Sequence, residues 1–254
     1  MHSRDLIAVM GRAVEAIKEA IAGVDDWTEP GEIDGQYRID LAADNAALEV
    51  LLAAGLGVLS EESGITEGDR DLLAVIDPVD GSTNASRGIP WYATSICVAD
   101  AEGLLCALVV NLADGTRYEA ARGEGATRNG RVIRPRETTS LSDAIVAVSG
   151  LPSTKVGWRQ ARAFGAAALE VCAVADGELD AFCEWGRRSL GVWDYLAGVL
   201  VASEAGAVCA DAFGRELFVR RHDERRSPVA AATTSLLAEL LAARRAGEGE
   251  RGRE

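Results

Sequence analysis

The spacing of hydrophobic residues changes along this chain, and the change limits the folds open to it. Apolar residues recur at helical spacing over residues 5–22 and 42–54. From residue 91 to 121 the pattern becomes that of β-strands, with hairpin signals at Asp114-Gly115 and Asn129-Gly130. Beyond residue 145, strands and helices mix. This order predicts an α/β or α+β chain built in layers.

The second half of the chain favours a separate sub-domain. Its pattern predicts strands over 145–148 and 228–232 and helices over 159–175, 194–205 and 235–245. The charged end without apolar residues is typical of a frayed terminus. We therefore expect an N-terminal α+β sub-domain (1–150), a C-terminal α/β sub-domain (151–246) and a frayed tail (247–254).

The charge balance excludes two classes of partner. The 254 residues carry 26 Lys and Arg against 40 Asp and Glu, a net charge of -14. Binding to nucleic acid polymers or to anionic membranes needs positive surface, so we expect neither. No apolar run has the ~18 residues of a membrane span, and the N-terminus reads as an amphipathic helix without a signal peptide. A cytoplasmic location follows.

Cysteine and histidine content narrows the chemistry. The five cysteines form no Cys-x-x-Cys pair and lie in apolar contexts, which indicates buried, reduced thiols. The two histidines are His2, at the terminus, and His222, in a run of charged residues. Neither position suits Ser-His-Asp catalysis or a multi-histidine zinc site.

The most informative segment follows a predicted buried strand over residues 72–76. It reads Asp77-Pro78-Val79-Asp80-Gly81-Ser82-Thr83-Asn84, and we expect the strand to end at the proline. Such a turn can direct both carboxylates to one point, and backbone N–H groups at a following helix start favour a phosphate. Carboxylates, hydroxyls and carbonyls are the oxygen ligands that magnesium prefers. Taken alone, the segment could equally be a solvated turn.

Further acidic residues accompany this segment. Glu61 and Glu62 follow the second helix, Asp194 follows Trp193 at the start of a later helix, and Asp44 lies in the first residues of the second helix. Individually, such residues are more often surface charges or helix caps.

Together, these motifs resemble the inositol monophosphatase family in their order and over residues 5–240. The segment from Asp77 to Asn84 is similar to the signature D-P-[IVL]-D-G-[TS]-x-N, and Trp193-Asp194 with Glu204-Ala205-Gly206 is similar to the second signature. Three shorter matches accompany them: Glu61-Glu62-Ser63, with Ser60 in place of a glycine; residues 41–44, similar to T-x-x-D; and residues 162–169, similar to R-x-x-G-S-A-A-L.

The resemblance implies a layered αβαβα sandwich of the inositol monophosphatase and fructose-1,6-bisphosphatase type, often lithium-sensitive, and a homodimer formed around residues 91–112. It implies metal ligation by Glu61, Asp77, Asp80, Asp194 and the Val79 carbonyl. The Gly81 and Ser82 amides would hold phosphate, Asp44 and the Ser82 hydroxyl would orient water, and Ala167, Glu184 and Asp194 would contact the substrate.

The implied chemistry agrees with the composition. A phosphate monoester brings negative charge among acidic groups, so the site needs cations, two or three Mg²⁺ in the usual arrangement. Metal ions that activate water and stabilise the leaving oxygen make a histidine acid unnecessary. We therefore expect a Mg²⁺-dependent hydrolase of a small phosphorylated polyol or sugar, with inositol 1-phosphate as the first candidate.

Alternatives stay open at this point. Fructose-1,6-bisphosphatase, 3′-phosphoadenosine 5′-phosphate phosphatase and histidinol-phosphatase belong to the same family, and a non-catalytic relative that binds a phosphorylated metabolite is a different class. The stretch 149–162 is shorter than the family pattern, and the stretch 186–191 is longer. Its Arg187-Arg188 pair could be a solvated loop or could bind a second phosphate.

Overall fold

The computed structural model describes residues 1–32, 36–152, 155–186 and 190–251, without the side chains of 247–251. Its helices are α1 (Ser3–Ala22), α2 (Arg38–Ala53), α3 (Ser82–Ser86), α4 (Ala167–Ala175), α5 (Val192–Ala205) and α6 (Thr234–Arg251). One sheet holds β1 (Gly57–Ser60), β2 (Gly64–Thr66), β3 (Leu73–Asp80), β4 (Ala93–Asp100), β5 (Gly103–Asn111), β6 (Arg117–Ala121), β7 (Gly125–Arg128) and β8 (Arg131–Val132). The other holds β9 (Ile145–Ser149), β10 (Gln160–Arg162), β11 (Ala181–Glu184), β12 (Val208–Asp211) and β13 (Pro228–Ala231).

The elements stack in five layers. Helices α1 and α2 cover one face of the first sheet, whose order is β2-β1-β3-β4-β5-β6-β7-β8. Helices α4 and α5 lie between this sheet and the second, whose order is β10-β9-β11-β13-β12. Helix α6 covers the outer face of the second sheet. The stacking confirms the predicted αβαβα sandwich.

The central pair of helices packs closely because of a glycine. A Cβ atom on Gly198 of α5 would lie 2.9 Å from the Val171 Cβ atom and 3.0 Å from the Ala168 carbonyl oxygen of α4. Real side chains do not approach that closely without displacing a neighbour, so the position suits only glycine. The contact holds the middle of α5 against α4, and the first turns of both helices lie at the candidate site.

Strand β3 continues where the sequence predicted its end. The expected strand over 72–76 was to stop at Asp77-Pro78, but β3 runs to Asp80. The pairing of β3 with β4 shifts register between Asp77 and Asp80, as in a β-bulge, so the missing proline N–H falls where the ladder is already irregular. The Pro78 carbonyl accepts a hydrogen bond from Thr94 Oγ1 at 2.8 Å. The signature segment is therefore part of the sheet.

Two helix predictions need correction. The helix expected over 159–175 is divided into β10 and α4, because β10 pairs with β9 and Gly165 then takes a left-handed conformation at φ 89°. The second helix begins at Arg38 instead of Ala42. Its first turn contains Asp40, and Asp44 lies well inside the helix.

The chain end also differs from its prediction. Helix α6 runs to Arg251 instead of ending at 245, because a glycine inside a helix costs only about 1 kcal/mol relative to alanine and need not end it. The frayed tail over 247–254 stays a prediction. The division into two sub-domains at residue 150 stays a prediction. Helix α5, which belongs to the second half of the chain, packs on the first sheet. None of the described helices combines the length and hydrophobicity needed to cross a bilayer.

Candidate active site

Two of the predicted metal ligands come from the irregular end of β3. The Asp77 side chain is buried, and its Oδ1 accepts the Val79 N–H at 3.0 Å. Gly81 follows at φ 86°, and a Cβ atom there would lie 3.0 Å from the Gly165 carbonyl oxygen and 3.1 Å from the Trp91 carbonyl oxygen. The glycine therefore lets the chain turn between two neighbouring backbones. This turn leads directly into α3.

Glu61 and Asp194 join Asp77 at one point. One carboxylate oxygen from each of the three residues lies within 4.8 Å of the others. Glu61 follows β1, which pairs in parallel with β3, and its N–H donates to the Ile76 carbonyl at 3.2 Å. Asp194 lies in the first turn of α5, where its Oδ2 accepts the Gly191 N–H at 2.7 Å. A sheet end and a helix start thus bring together side chains that are far apart in sequence.

Asp80 lies beside these three residues and also accepts a hydrogen bond from the start of α4. Its Oδ2 accepts the Ala168 N–H at 2.7 Å, and the Ala167 N–H further favours its ionised form. The charge of Asp80 acts on both Asp77 and Asp194. All four predicted carboxylates therefore lie together. Ala167, predicted to contact substrate, is the first residue of α4, and its N–H faces Asp80.

The carboxylates cannot all be ionised at low energetic cost. Burial first, and then the charge of Asp194, raise the pKa of Glu61 to about 8. Burial and the charge of Asp80 raise the pKa of Asp194 to about 8. The pKa of Asp77 is raised well above its ordinary value by burial and by Glu61 and Asp80. A cluster of hard oxygen donors that repel one another is the donor set that suits divalent magnesium.

The Ser82 hydroxyl adjoins Asp40, not the predicted Asp44. Asp40 accepts the Tyr37 N–H through Oδ2 at 2.8 Å, and the Ser82 side chain favours its ionised form. Its Oδ1 is buried without a hydrogen-bond partner among the described residues. Burial raises the pKa of Asp40 to about 7, and its charge acts on Glu61. Asp40 is thus a site carboxylate that the sequence analysis missed.

Asp44 is held elsewhere. It is buried in the interior of α2, and its Oδ1 accepts a hydrogen bond from Ser60 Oγ at 2.5 Å. Ser60 is the residue that replaces the glycine of the resembling motif. The Ser60 hydrogen bond satisfies the buried Asp44 carboxylate. Because the helix begins four residues earlier than predicted, Asp40 and not Asp44 lies in its first turn, next to Ser82.

Comparison with known proteins agrees with this geometry. The sequence profile described as "Inositol monophosphatase family" matches residues 5–249. The Archaeoglobus fulgidus protein named fructose-1,6-bisphosphatase/inositol-1-monophosphatase is 33% identical over 253 residues, covering 95% of this chain and 98% of that protein. The inositol-1-monophosphatase of Mesorhizobium japonicum is 32% identical over 194 residues, covering 68% and 71%. A Pyrococcus horikoshii structure described as having similarities to inositol-1 monophosphatase superposes with a TM-score of 0.82 at 27% identity, covering 94% of this chain and 96% of that chain.

The chain belongs to the inositol monophosphatase family. It is therefore a phosphoric monoester hydrolase, and two of the clustered carboxylates, Asp77 and Asp80, lie in the segment that resembles the family's first signature. This membership confirms the resemblance drawn from the motifs.

In this inositol monophosphatase family member, the predicted substrate contact Glu184 is buried at the end of β11. Its carboxylate Oε2 lies 3.8 Å from Nη2 of Arg244 in α6, and the Arg244 Nε donates to the Glu184 carbonyl at 2.8 Å. The Arg244 guanidinium lies 5.4 Å from the centroid of the Trp185 ring. A contact of Glu184 with substrate stays a prediction. Arg187 and Arg188 lie outside the described residues, as do residues 153–154 of the short stretch 149–162.

Three further residues support the site without having been predicted. Asn84 Nδ2 donates to the carbonyls of Trp91, at 2.8 Å, and Phe164, at 2.7 Å. Glu170 of α4 accepts the Phe164 N–H at 2.8 Å, and burial raises its pKa to about 7. His222 Nε2 lies 2.8 Å from the Glu61 carbonyl oxygen. Asn84 lies within the signature segment and could have been predicted from it. His222 lies in a run of charged residues, and nothing in that pattern indicates a contact with the site.

The raised carboxyl pKa values predict a pH-dependent stabilisation by Mg²⁺. The folded, metal-free protein binds more protons at Glu61 and Asp194 than the unfolded chain, so its stability falls as pH rises from the ordinary carboxyl range near 4 towards about 8. Cations that neutralise the cluster offset this loss. We expect saturating MgCl₂ to raise the Tm by about 5–10 °C at pH 8 and by less than half as much at pH 5.

Differential scanning fluorimetry measures both shifts, with NaCl of equal ionic strength as the salt control and Asp77→Asn as the control variant. An equal Mg²⁺ effect at both pH values, or an equal effect of NaCl, would contradict this account.

Proposed function

We propose that the chain is a Mg²⁺-dependent monophosphatase for a small phosphorylated polyol or sugar, with inositol 1-phosphate as the first candidate substrate. The observation that carries the proposal is the trio of Glu61, Asp77 and Asp194 with Asp80 beside it. Family membership supports the hydrolase class. The relatives named above include an inositol-1-monophosphatase and a fructose-1,6-bisphosphatase/inositol-1-monophosphatase, which supports the substrate class.

Glu61, Asp77, Asp80, Asp194 and the Val79 carbonyl would hold the metal ions. The carboxylates supply hard oxygen ligands, and their mutual repulsion is relieved only by added positive charge. Bound divalent cations supply water activation and stabilisation of the leaving oxygen. This division of labour explains how a chain with two histidines can hydrolyse a phosphate ester without a histidine acid.

The residues at the start of α3 would bind the phosphate. Gly81 and Ser82 lie where β3 turns into α3, so their N–H groups are available at a point next to Asp77 and Asp80. Backbone N–H groups bind phosphate oxygens without adding side-chain bulk. The turn would thus hold a phosphate beside the carboxylate cluster.

Asp40, together with Ser82, would orient the attacking water. The Asp40 carboxylate interacts with Ser82, and burial raises its pKa to about 7, near the pH at which a proton acceptor works best. Asp44, engaged by Ser60, would serve structure. This assignment transfers to Asp40 the role that the sequence analysis gave to Asp44.

Phosphate release in the presence and absence of Mg²⁺ tests the proposed function. We expect Mg²⁺-dependent turnover of inositol 1-phosphate and suppression by EDTA, because the cluster cannot bind a phosphate dianion without cations. Fructose 1,6-bisphosphate, 3′-phosphoadenosine 5′-phosphate and histidinol phosphate are the comparison substrates. A higher kcat/KM for one of these would replace the substrate assignment, and no Mg²⁺-dependent release from any would favour the non-catalytic alternative.

Substitution of two neighbouring aspartates separates their roles. Asp40→Asn should lower kcat by about 10²–10⁴-fold, because the amide can neither accept a proton nor orient water as a carboxylate does. Asp44→Asn should change kcat less than about 10-fold, although a neutral acceptor for Ser60 and a buried amide N–H without a partner should cost about 1–3 kcal/mol of stability. Steady-state kinetics and thermal unfolding of both variants test this. A reversed order of the kcat losses would restore Asp44 to the catalytic role.

Two predictions beyond the active site remain proposals. The strands that fill most of the expected dimer interface, β4 and β5, are covered on both faces by helices of the same chain, so only the ends of that segment could meet a partner. Sedimentation velocity would decide whether a homodimer forms. A cytoplasmic location is supported by five unpaired cysteines.

A further inference from the structure

The loop between β12 and β13 brings His222 to the backbone of a predicted metal ligand. His222 Nε2 lies 2.8 Å from the Glu61 carbonyl oxygen, although 161 residues separate the two in sequence. A carbonyl oxygen can only accept, so Nε2 carries the hydrogen in this contact. The Glu61 N–H is already bound to the Ile76 carbonyl. Both backbone hydrogen-bonding groups of Glu61 are therefore held.

The same histidine packs on the residue before a second predicted ligand. Its ring stacks on the buried Trp193 indole, with ring centroids 4.6 Å apart and planes inclined by 28°. The guanidinium carbon of Arg225 lies 5.0 Å from the centroid of the same indole. On the other side of α5, the Trp193 carbonyl accepts a hydrogen bond from Ser95 Oγ at 3.1 Å. Trp193 is thus held from the loop and from the first sheet.

The loop itself is held in place by a buried arginine. The Arg226 side chain is 8% exposed, and its Nε donates to the Glu216 carbonyl at 2.7 Å. The Arg226 backbone exchanges two hydrogen bonds with Leu190, each of 2.8 Å, just before α5. The Arg225 Nη1 donates to the His222 carbonyl at 2.7 Å. These contacts pre-organise His222, so that its ring does not have to be ordered when the site is used.

We propose that His222 is a positioning residue that joins the two sides of the metal site. Glu61 follows β1 in the first sheet, and Asp194 begins α5; the His222 imidazole contacts the first through its carbonyl and the second through Trp193. The imidazole is proposed to act through its hydrogen bond and its stacking contact and not as a metal ligand. The inference rests on the proposed metal-dependent function. Its consequence is a higher affinity of the protein for Mg²⁺.

The test compares Mg²⁺ binding by isothermal titration calorimetry in wild-type protein, His222→Ala, His222→Gln and the matched control His2→Ala. His222→Ala should weaken binding about 10-fold, the lower end of the effect of losing an outer-shell partner. His222→Gln should recover much of that affinity, because its amide N–H can donate to the Glu61 carbonyl. His2→Ala should bind as wild type does. At limiting Mg²⁺, His222→Ala should be less active than wild-type protein, and its activity should return when Mg²⁺ is raised.

Two further measurements separate positioning from a general loss of structure. The Tm of metal-free His222→Ala shows whether the variant folds, and histidine NMR of wild-type protein follows the ring directly. The spectrum has two histidine side chains, and His2→Ala assigns them. We expect Mg²⁺ to shift the His222 signal and to leave the His2 signal unchanged.

The outcomes are distinguishable. If wild-type protein binds no Mg²⁺, the proposed function fails, and this inference fails with it. If wild-type protein and His222→Ala bind Mg²⁺ equally, or if the His222 signal does not respond to Mg²⁺, only the inference is overturned. It is also overturned if neither His222→Gln nor added Mg²⁺ restores function and the metal-free Tm falls.

Discussion

Repulsion among closely spaced carboxylates is the interaction on which the site depends. Asp77 and Asp80 are almost fully buried. Burial and the charge of Asp194 raise the pKa of Glu61, and burial and the charge of Asp80 raise the pKa of Asp194. A protein gains nothing in stability from such a cluster, since each ionised group adds desolvation and repulsion. The arrangement makes physical sense only when the charges are met by cations. The bound cations would then also attract the negative charge of a phosphate group.

The carboxylates come from three places in the fold: Asp77 and Asp80 from β3, Glu61 from the turn after β1, and Asp194 from α5. The parallel pairing of β1 with β3 places Glu61 beside Asp77, and the bulge at the end of β3 turns Asp80 towards the start of α4. Helix α5 contributes Asp194 from its first turn. Strand pairing and helix packing fix the backbone positions of these elements, so the carboxylates stay close together despite their repulsion. The fold thus keeps like charges close together, and bound cations would reduce their repulsion.

Much of this could be predicted from sequence, for reasons that differ between residues. The two carboxylates of β3 lie three residues apart in one motif, and the layer order follows from the hydrophobic periods. The role of Asp40 was missed because the start of α2 has Tyr37 at its N-cap, which is no capping signal, so Asp44 was placed in the first turn. His222 acts through a contact 161 residues away, which no local pattern encodes. Strand β3 continues beyond Pro78 because the β-bulge there makes the missing backbone N–H of proline unnecessary for strand pairing.

Proton release on Mg²⁺ binding tests the central claim most directly. Calorimetric titrations at pH 7, in buffers that differ in ionisation enthalpy, give the number of protons that leave the protein with each binding event. Since the pKa values of Glu61 and Asp194 are raised to about 8, Mg²⁺ binding should release about one proton or more, and Asp77→Asn should abolish tight binding. Tight binding without proton release, or binding unaffected by Asp77→Asn, would show that the cations are held elsewhere and would contradict the account.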